Sequence, residues 1–302
     1  MMIDKLLGIQ YPLIQGAMAW ISHSSLVSAV SNAGGLGVLA GGNLTKEMAQ
    51  AEIQKIKQLT NKPFALNIML LNPCADELAD LVLEENISVV ITGAGNPGKY
   101  MERWKAAGVT VIPVVPSVAL ARRMERLGAD AVIAEGTEAG GHVGELTTFA
   151  LTPQVVDAVS IPVVAAGGIA DNRGYRAALA LGASGVQVGT AFLVAEECDI
   201  AQGYKERVIK AGDTDSVVTG RITGHPVRIL KNKLARQLKD VEAGDLTTSE
   251  KLIKIEELAT GSYRKAVTGT DMDYGSIMSG QIAGLIKEQS GVQEIIRKII
   301  GI

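Results

Sequence analysis

Aromatic residues are scarce: three Phe, two Trp and six Tyr make up 4% of 302 residues. Packing must therefore rest on Ala, Val, Ile and Leu, a bias that suits parallel strands buried on both faces. Cysteine is scarcer still. Cys74 and Cys198 show no CxxC or Cys/His ligand spacing, so neither a disulfide framework nor a metal site is indicated, and free thiols are expected. Neither charge dominates, since 29 Lys+Arg against 32 Asp+Glu leave a net of −3. With the signs interspersed, nothing favours nucleic acid or a membrane surface as partner. No apolar run approaches the roughly 18 residues that span a bilayer. The N-terminal MMIDKLLGIQYP lacks the apolar stretch and cleavage site of a secretion signal. A reducing cytoplasm is the expected location.

What the chain does have is a strand–helix rhythm. Between Tyr11 and about Ala195 eight aliphatic runs recur: PLIQGAM, LGVLAG, FALNIML, SVVITGAG, TVIPVVP, DAVIAEG, PVVAAGG and GVQVGTAFLV. Helical patterns lie between them, such as TKEMAQAEIQKIKQL, ADELADLVLEE, KYMERWKAA and ALARRMERL, apolar on one face and charged on the other. Gly108, Gly128 and Gly182 each follow a helical run, where glycine closes a helix C-terminus. Eight such units predict an α/β fold, a (β/α)8 TIM barrel with parallel strands and right-handed crossovers. Past Ala195 the alternation stops. Residues 196–268 read as a smaller, mostly helical lid, with GHPVRILKNKLARQL its clearest amphipathic helix. Residues 1–195 plus about 269–302 are assigned to the barrel, the tail GSIMSGQIAGLIKE packing back on it as a helix.

The chemistry-bearing residues gather at predicted strand exits, where such barrels place their active sites. The sixth exit is the richest. AEGTEAGGHVG, from Ala134 to Gly144, combines Glu135, Gly140 and Gly141 with His142. Glycine admits close approach to a ligand, and histidine transfers protons near neutral pH. The seventh and eighth exits carry Gly167, Gly168, Gly189 and Thr190, so backbone N–H groups and a hydroxyl can hold a phosphate without Lys or Arg. GAGNPG, with Gly93, Gly95 and Gly98, matches a dinucleotide fingerprint. No carboxylate follows at the end of the next strand, so that reading is set aside. His23 reads as a helix cap or surface residue. His225 would open the lid helix, in a structural or phosphate-meeting role. Trp20 and Trp104 read as packing residues, with Trp20 able to wall a pocket, and Cys198 has no base near it.

These motifs have a family likeness. QGAMAW, NIMLL, AEGTEAGGH, AAGGIAD and QVGT resemble the flavin-binding signatures of the nitronate monooxygenase superfamily. TGAGNPGKYMERW, VIPVVPSVALARRMERLGADAVIAEG and DYGSIMSGQIAGLI resemble, within it, the flavoprotein enoyl-[acyl-carrier-protein] reductases of bacterial type II fatty-acid synthesis. The likeness runs over nearly the whole chain. It implies FMN at the barrel mouth, NADH or NADPH as co-substrate, and an enoyl-acyl carrier protein or enoyl-CoA as acceptor. It also implies a homodimer and, in some members, a response to monovalent cations. By resemblance, Ala17 and Met18 lie against the flavin ring and Asn67 bonds near its edge. Glu135, Gly140 and Gly141 flank ring or ribityl chain. Gly167, Gly168, Gln187, Val188, Gly189 and Thr190 hold the phosphate end. Met278, Ser279 and Gln281 close over the flavin, and His142 is the catalytic histidine. Oxidation of alkyl nitronates by O2 would use the same loops and is the alternative activity. A colourless phosphate-binding isomerase or aldolase would require a Lys or paired carboxylates at the strand ends, which are not found.

Overall fold

The computed structural model describes residues 2–302. Eight strands run parallel around a barrel: β1 (Leu13–Gln15), β2 (Gly37–Ala40), β3 (Phe64–Met69), β4 (Val89–Gly93), β5 (Thr110–Val115), β6 (Val132–Glu135), β8 (Val163–Ala166) and β9 (Gly185–Val188). The two-residue strand β7 (Gly141–His142) follows β6 and belongs to another sheet. Each barrel strand pairs with its sequence neighbour, β1 pairs with β9, and the β1–β2 seam closes by a single bridge between Ile14 and Leu36. The Gln15 side chain completes that seam: fully buried, its Oε1 accepts the Val38 N–H at 3.0 Å and its Nε2 donates to Ser22 Oγ at 2.8 Å.

Strand pleating sorts the aliphatic runs onto two faces. Ile14, Leu36, Val38, Ala65, Ile91, Ile112, Ile133 and Val164 fill the interior. The short helix α1 (Ile3–Leu7) plugs the base with Ile3 and Leu7. Alternate residues face outward onto the surrounding helices α2 (Ser24–Asn32), α3 (Lys46–Leu59), α4 (Ala75–Glu84), α5 (Gly98–Ala106), α6 (Val118–Arg126), α7 (Thr148–Val156) and α8 (Asn172–Ala180). Each fully buried aliphatic side chain contributes about 1.5–3 kcal/mol of transfer free energy. Trp104 is wholly buried and donates Nε1–H to the Ala79 carbonyl at 3.1 Å, a packing residue as expected. Gly108, Gly128 and Gly182 all adopt left-handed backbone at helix exits.

Three expectations need correction. The eighth run stops being a strand at Val188: Gly189 turns the chain into a 3-10 helix over Thr190–Val194, whose side chains bury in the core. After α9 (Gln202–Lys210), the segment expected to begin the lid helix instead forms a hairpin, β10 (Ser216–Thr219) with β11 (Val227–Leu230). His225 therefore lies at the foot of a hairpin turn and opens no helix. A helix starts only at α10 (Lys233–Ala243), capped by Asn232, whose Oδ1 accepts the Ala235 N–H at 2.9 Å. Beyond α11 (Thr248–Ala259) and α12 (Ser262–Thr268) the tail is an irregular strap with one 3-10 turn at Gln281–Leu285, and a regular helix resumes at α13 (Val292–Ile300). Gly275, Gly280 and Gly284 interrupt the strap, and each sits where added side-chain bulk would strike neighbouring backbone.

Candidate active site

At the mouth, the inward face changes from aliphatic to polar. Asn67 lies near the end of β3, with Nδ2 donating to the Ile91 carbonyl at 3.4 Å. Glu135 ends β6 in register with Ala166 of β8, and Gln187 in β9 is also in register with Ala166. Glu135 keeps some surface open toward the mouth, but its carboxyl sits deep among protein atoms. Burial pushes its pKa up to about 7, so it exchanges a proton near neutral pH.

The β6 exit loop is held from two sides. Glu138 turns back to α7, where both carboxylate oxygens accept the Thr148 N–H, at 2.8 and 3.0 Å, capping the helix N-terminus. Opposite, β11 pairs with β7 so that Arg228 faces Gly141 and Val227 faces His142. Arg228 is only 5% exposed; its Nε donates to the Thr137 carbonyl at 2.9 Å and its Nη1 to Ser216 Oγ at 3.1 Å. Nothing in the sequence reading pointed to this arginine, because its segment read as helix.

His142 lies on the exposed rim, and its ring still abuts enough protein for burial to lower its pKa below 6.5, with the His225 charge adding to the effect. The ladder explains the histidine pair. Val143 donates to the Pro226 carbonyl at 3.1 Å, so His225 is two residues from Val227, the cross-strand partner of His142, and shares its face. His142 is thereby a neutral imidazole at neutral pH, with one nitrogen donating and one accepting.

The tail strap crosses over this loop. Gly280 N–H donates to Thr190 Oγ1 at 3.0 Å, Gln281 N–H to the Glu138 carbonyl at 2.9 Å, and Tyr204 Oη–H to the Met278 carbonyl at 2.7 Å. The strap packs so closely that a Cβ on Gly140 would lie 2.7 Å from the Ser279 carbonyl carbon and 2.8 Å from Gly280 N. Gly140 is thus filled by protein on its Cβ side. Met278 Sδ flanks Gly141, and Ser279 Oγ is buried without a hydrogen-bond partner among the described residues.

At the β8 and β9 exits the glycines behave differently. Gly167 and Gly168 have φ of +103° and +73°, conformations that L side chains rarely adopt. Their N–H groups, and that of Gly189, meet no protein acceptor among the described residues. A Cβ on Gly189 would find only Met18 Sδ, at 3.8 Å. Ala17 and Met18 leave β1 beside this opening, and Gly16 N–H bonds the Val188 carbonyl at 2.8 Å. The Val188 side chain points away into the outer core. Oriented N–H groups, the orphaned Ser279 hydroxyl and the polar side chains of Asn67, Glu135 and Gln187 at the strand ends form a set suited to a phosphate-bearing planar cofactor, so these residues fit FMN.

Other residues singled out from sequence lie apart or serve structure. His23 precedes α2, where its carbonyl accepts Val27 N–H while its side chain makes no cap bond. Trp20 holds a left-handed backbone, φ +61°, with its N–H on Asn43 Oδ1 and Arg264 stacked 5.3 Å from its ring centroid. The Cys198 thiol is buried and pushed up to about 12, which removes it as a nucleophile. A cavity of about 350 Å³ lined by Gln10, Tyr11, Asn32 and Arg297 shares no residue with the mouth. No helix among the described residues is long and apolar enough to cross a membrane.

Comparison with known proteins agrees with this fold. A family model described as nitronate monooxygenase matches residues 1–82 and 76–301. FabK from Thermotoga maritima is 47% identical, with a TM-score of 0.95 over 99% of this chain and 94% of that one. A nitroalkane oxidase from Streptomyces ansochromogenes is 27% identical, with a TM-score of 0.86 over 98% and 96% of the two chains. A (3aS,4S,5R,7aS)-5-hydroxy-7a-methyl-1-oxo-octahydro-1H-indene-4-carboxyl-CoA dehydrogenase of Mycobacterium tuberculosis is 33% identical over 99% of this chain and 94% of that protein. The chain belongs to the nitronate monooxygenase family and is an oxidoreductase.

Proposed function

We propose that the chain is an FMN-dependent enoyl-[acyl-carrier-protein] reductase. It would use NADH or NADPH to reduce the trans-2 double bond of an enoyl thioester in fatty-acid elongation. The observation that carries this reading is the 47% identity to FabK across 99% of the chain, against 27% for the nitroalkane oxidase. We read FabK as the reductase that the sequence motifs resemble. A relative named for a carboxyl-CoA substrate also favours a thioester over a nitronate.

Bound at the mouth, FMN supplies two-electron hydride chemistry that no side chain here can perform. The chain's own work is binding and proton control. Gly167, Gly168 and Gly189 present N–H groups to a phosphate, and the strap at Met278 and Ser279 covers the loop. Saturating the double bond requires a proton at Cα. His142, neutral at neutral pH, holds one on an imidazole nitrogen, where it can donate to the thioester carbonyl or to Cα. The homodimer and the monovalent-cation response implied by the family likeness belong to this reading.

One pocket serving two substrates in turn predicts ping-pong kinetics. Parallel double-reciprocal plots for NADH and a crotonyl thioester are expected. Intersecting lines would contradict the shared pocket, and turnover of alkyl nitronates without NADH would favour nitronate oxidation.

A further inference from the structure

A buried charge is costly unless its surroundings return that cost. Arg228 is the buried guanidinium nearest the site, and it makes no ion pair among the described residues. Burial lowers its pKa, and the charges that act on it are Glu138 on the β6 loop and Arg221 on the hairpin. The Glu138 carboxylate is already spent on the α7 N-terminus. The geometry explains what the residue gains. Its backbone lies opposite Gly141 in the β7–β11 ladder, while its side chain reaches back to the Thr137 carbonyl. One residue therefore grips both ends of the segment Thr137–Gly141, whose last two residues, Gly140 and Gly141, have no side chains of their own to anchor them. His142 is the next residue along.

We propose that Arg228 is a positioning residue for His142, locking the glycine-rich loop so that the imidazole keeps a fixed place on the rim. The catalytic part of this inference rests on His142 being the proton-moving group of the proposed reductase; the positional part does not. Ser216 completes the device, because its hydroxyl holds Nη1 and so sets the direction of the guanidinium. Lysine would supply the charge without the fork that engages two acceptors at once.

The chain has three histidines, His23, His142 and His225, so their imidazole protons can be resolved and assigned by NMR with His→Gln variants. Arg228→Met should move the His142 resonance and its titration toward those of an ordinary exposed histidine, leaving His23 unchanged. It should lower kcat about 10- to 100-fold with KM for NADH, flavin content and Tm near wild type. Arg228→Lys should recover part of the loss, and Ser216→Ala, a milder change, should shift His142 in the same direction by less. An unmoved His142 resonance in Arg228→Met, or in Ser216→Ala should the first variant not fold, overturns the proposal. Loss of flavin and Tm with the His142 resonance unchanged overturns it too, making Arg228 structural. The NMR arm uses no substrate, so failure of the enoyl-reductase reading alone would leave it standing.

Discussion

The β6 loop and the β8 and β9 exits lie side by side at the barrel mouth, and they use glycine differently. In the β6 loop, Gly136 lies against Thr148 and Gly140 against the strap, so the space a side chain would take is filled by the protein itself. At the β8 and β9 exits, the glycines leave N–H groups without protein acceptors; Gly167 still packs its Cβ side against Thr148 Oγ1 at 2.8 Å and the Gly136 carbonyl at 3.1 Å, whereas Gly189 meets only Met18 Sδ. The same residue type thus builds a tightly sewn wall in the β6 loop and a donor surface beside it, with Gly167 at the junction of the two. His142 stands on the wall. The donor surface is where a phosphate fits.

The largest break in that comparison should come from His142→Ala. If the wall exists to present this imidazole, turnover falls about 10²- to 10⁴-fold while bound FMN, measured by absorbance after gel filtration, stays stoichiometric. Flavin loss with the change would instead make His142 part of the cofactor's support. The next test sets one glycine against the other. Gly140→Ala drives a Cβ into strap backbone at 2.7 Å and should cost about 1–3 kcal/mol in denaturant unfolding. Gly189→Ala meets only Met18 Sδ at 3.8 Å, so its stability should stay within about 0.5 kcal/mol of wild type while FMN dissociates more readily. The reverse pattern, with Gly140→Ala silent and Gly189→Ala unfolded, would dissolve the distinction.

Glu135 sharpens the picture through pH. Its folded carboxyl keeps a proton until about pH 7, whereas the unfolded group releases it near 4.5. Stability from this residue is therefore complete below about 4.5 and is lost as pH rises through 7. Glu135→Gln should flatten that decline and leave the protein more stable than wild type at pH 8. An unchanged slope would mean that the carboxyl is already ionised in the folded state. The smallest effect belongs to the ion pair between Arg221 and Glu145, at 3.0 Å and largely exposed. Breaking it with Glu145→Gln should change stability by less than about 1 kcal/mol, well below the effect of Gly140→Ala. A larger loss would mean that the hairpin tip, as well as Arg228, fastens the wall.

The barrel was legible because its signals are repeated and mutually consistent. Runs such as VVIT and VVAA, buried on both faces, and charged one-sided helices with glycine exits each point to a parallel β/α unit. The β10–β11 hairpin was not legible. VRIL beside KNKLARQL is apolar at positions that fit a helical period or a strand alternation, and the arbiter is a partner strand, Gly141–His142, 85 residues earlier in register. Arg228 was hidden with it, since a buried arginine cannot be told from a surface one until the ladder is known. The tail failed for a related reason. GSIMSGQIAGLIKE is small and apolar enough for a helix, but its bonds go to Thr190, Glu138 and Tyr204, distant groups that no local pattern encodes. The expected site residues came from residue type, strand-exit position and family likeness; which glycines are packed against protein and which leave N–H groups unbonded emerged only from packing.

The visible spectrum of the purified protein tests the central claim most directly. The account predicts a yellow protein whose flavin band bleaches on anaerobic addition of NADH or NADPH and returns when crotonyl-CoA is added. A colourless protein that cannot be loaded with FMN would contradict the cofactor site, and a reduced flavin that crotonyl-CoA fails to reoxidise would contradict the proposed reductase.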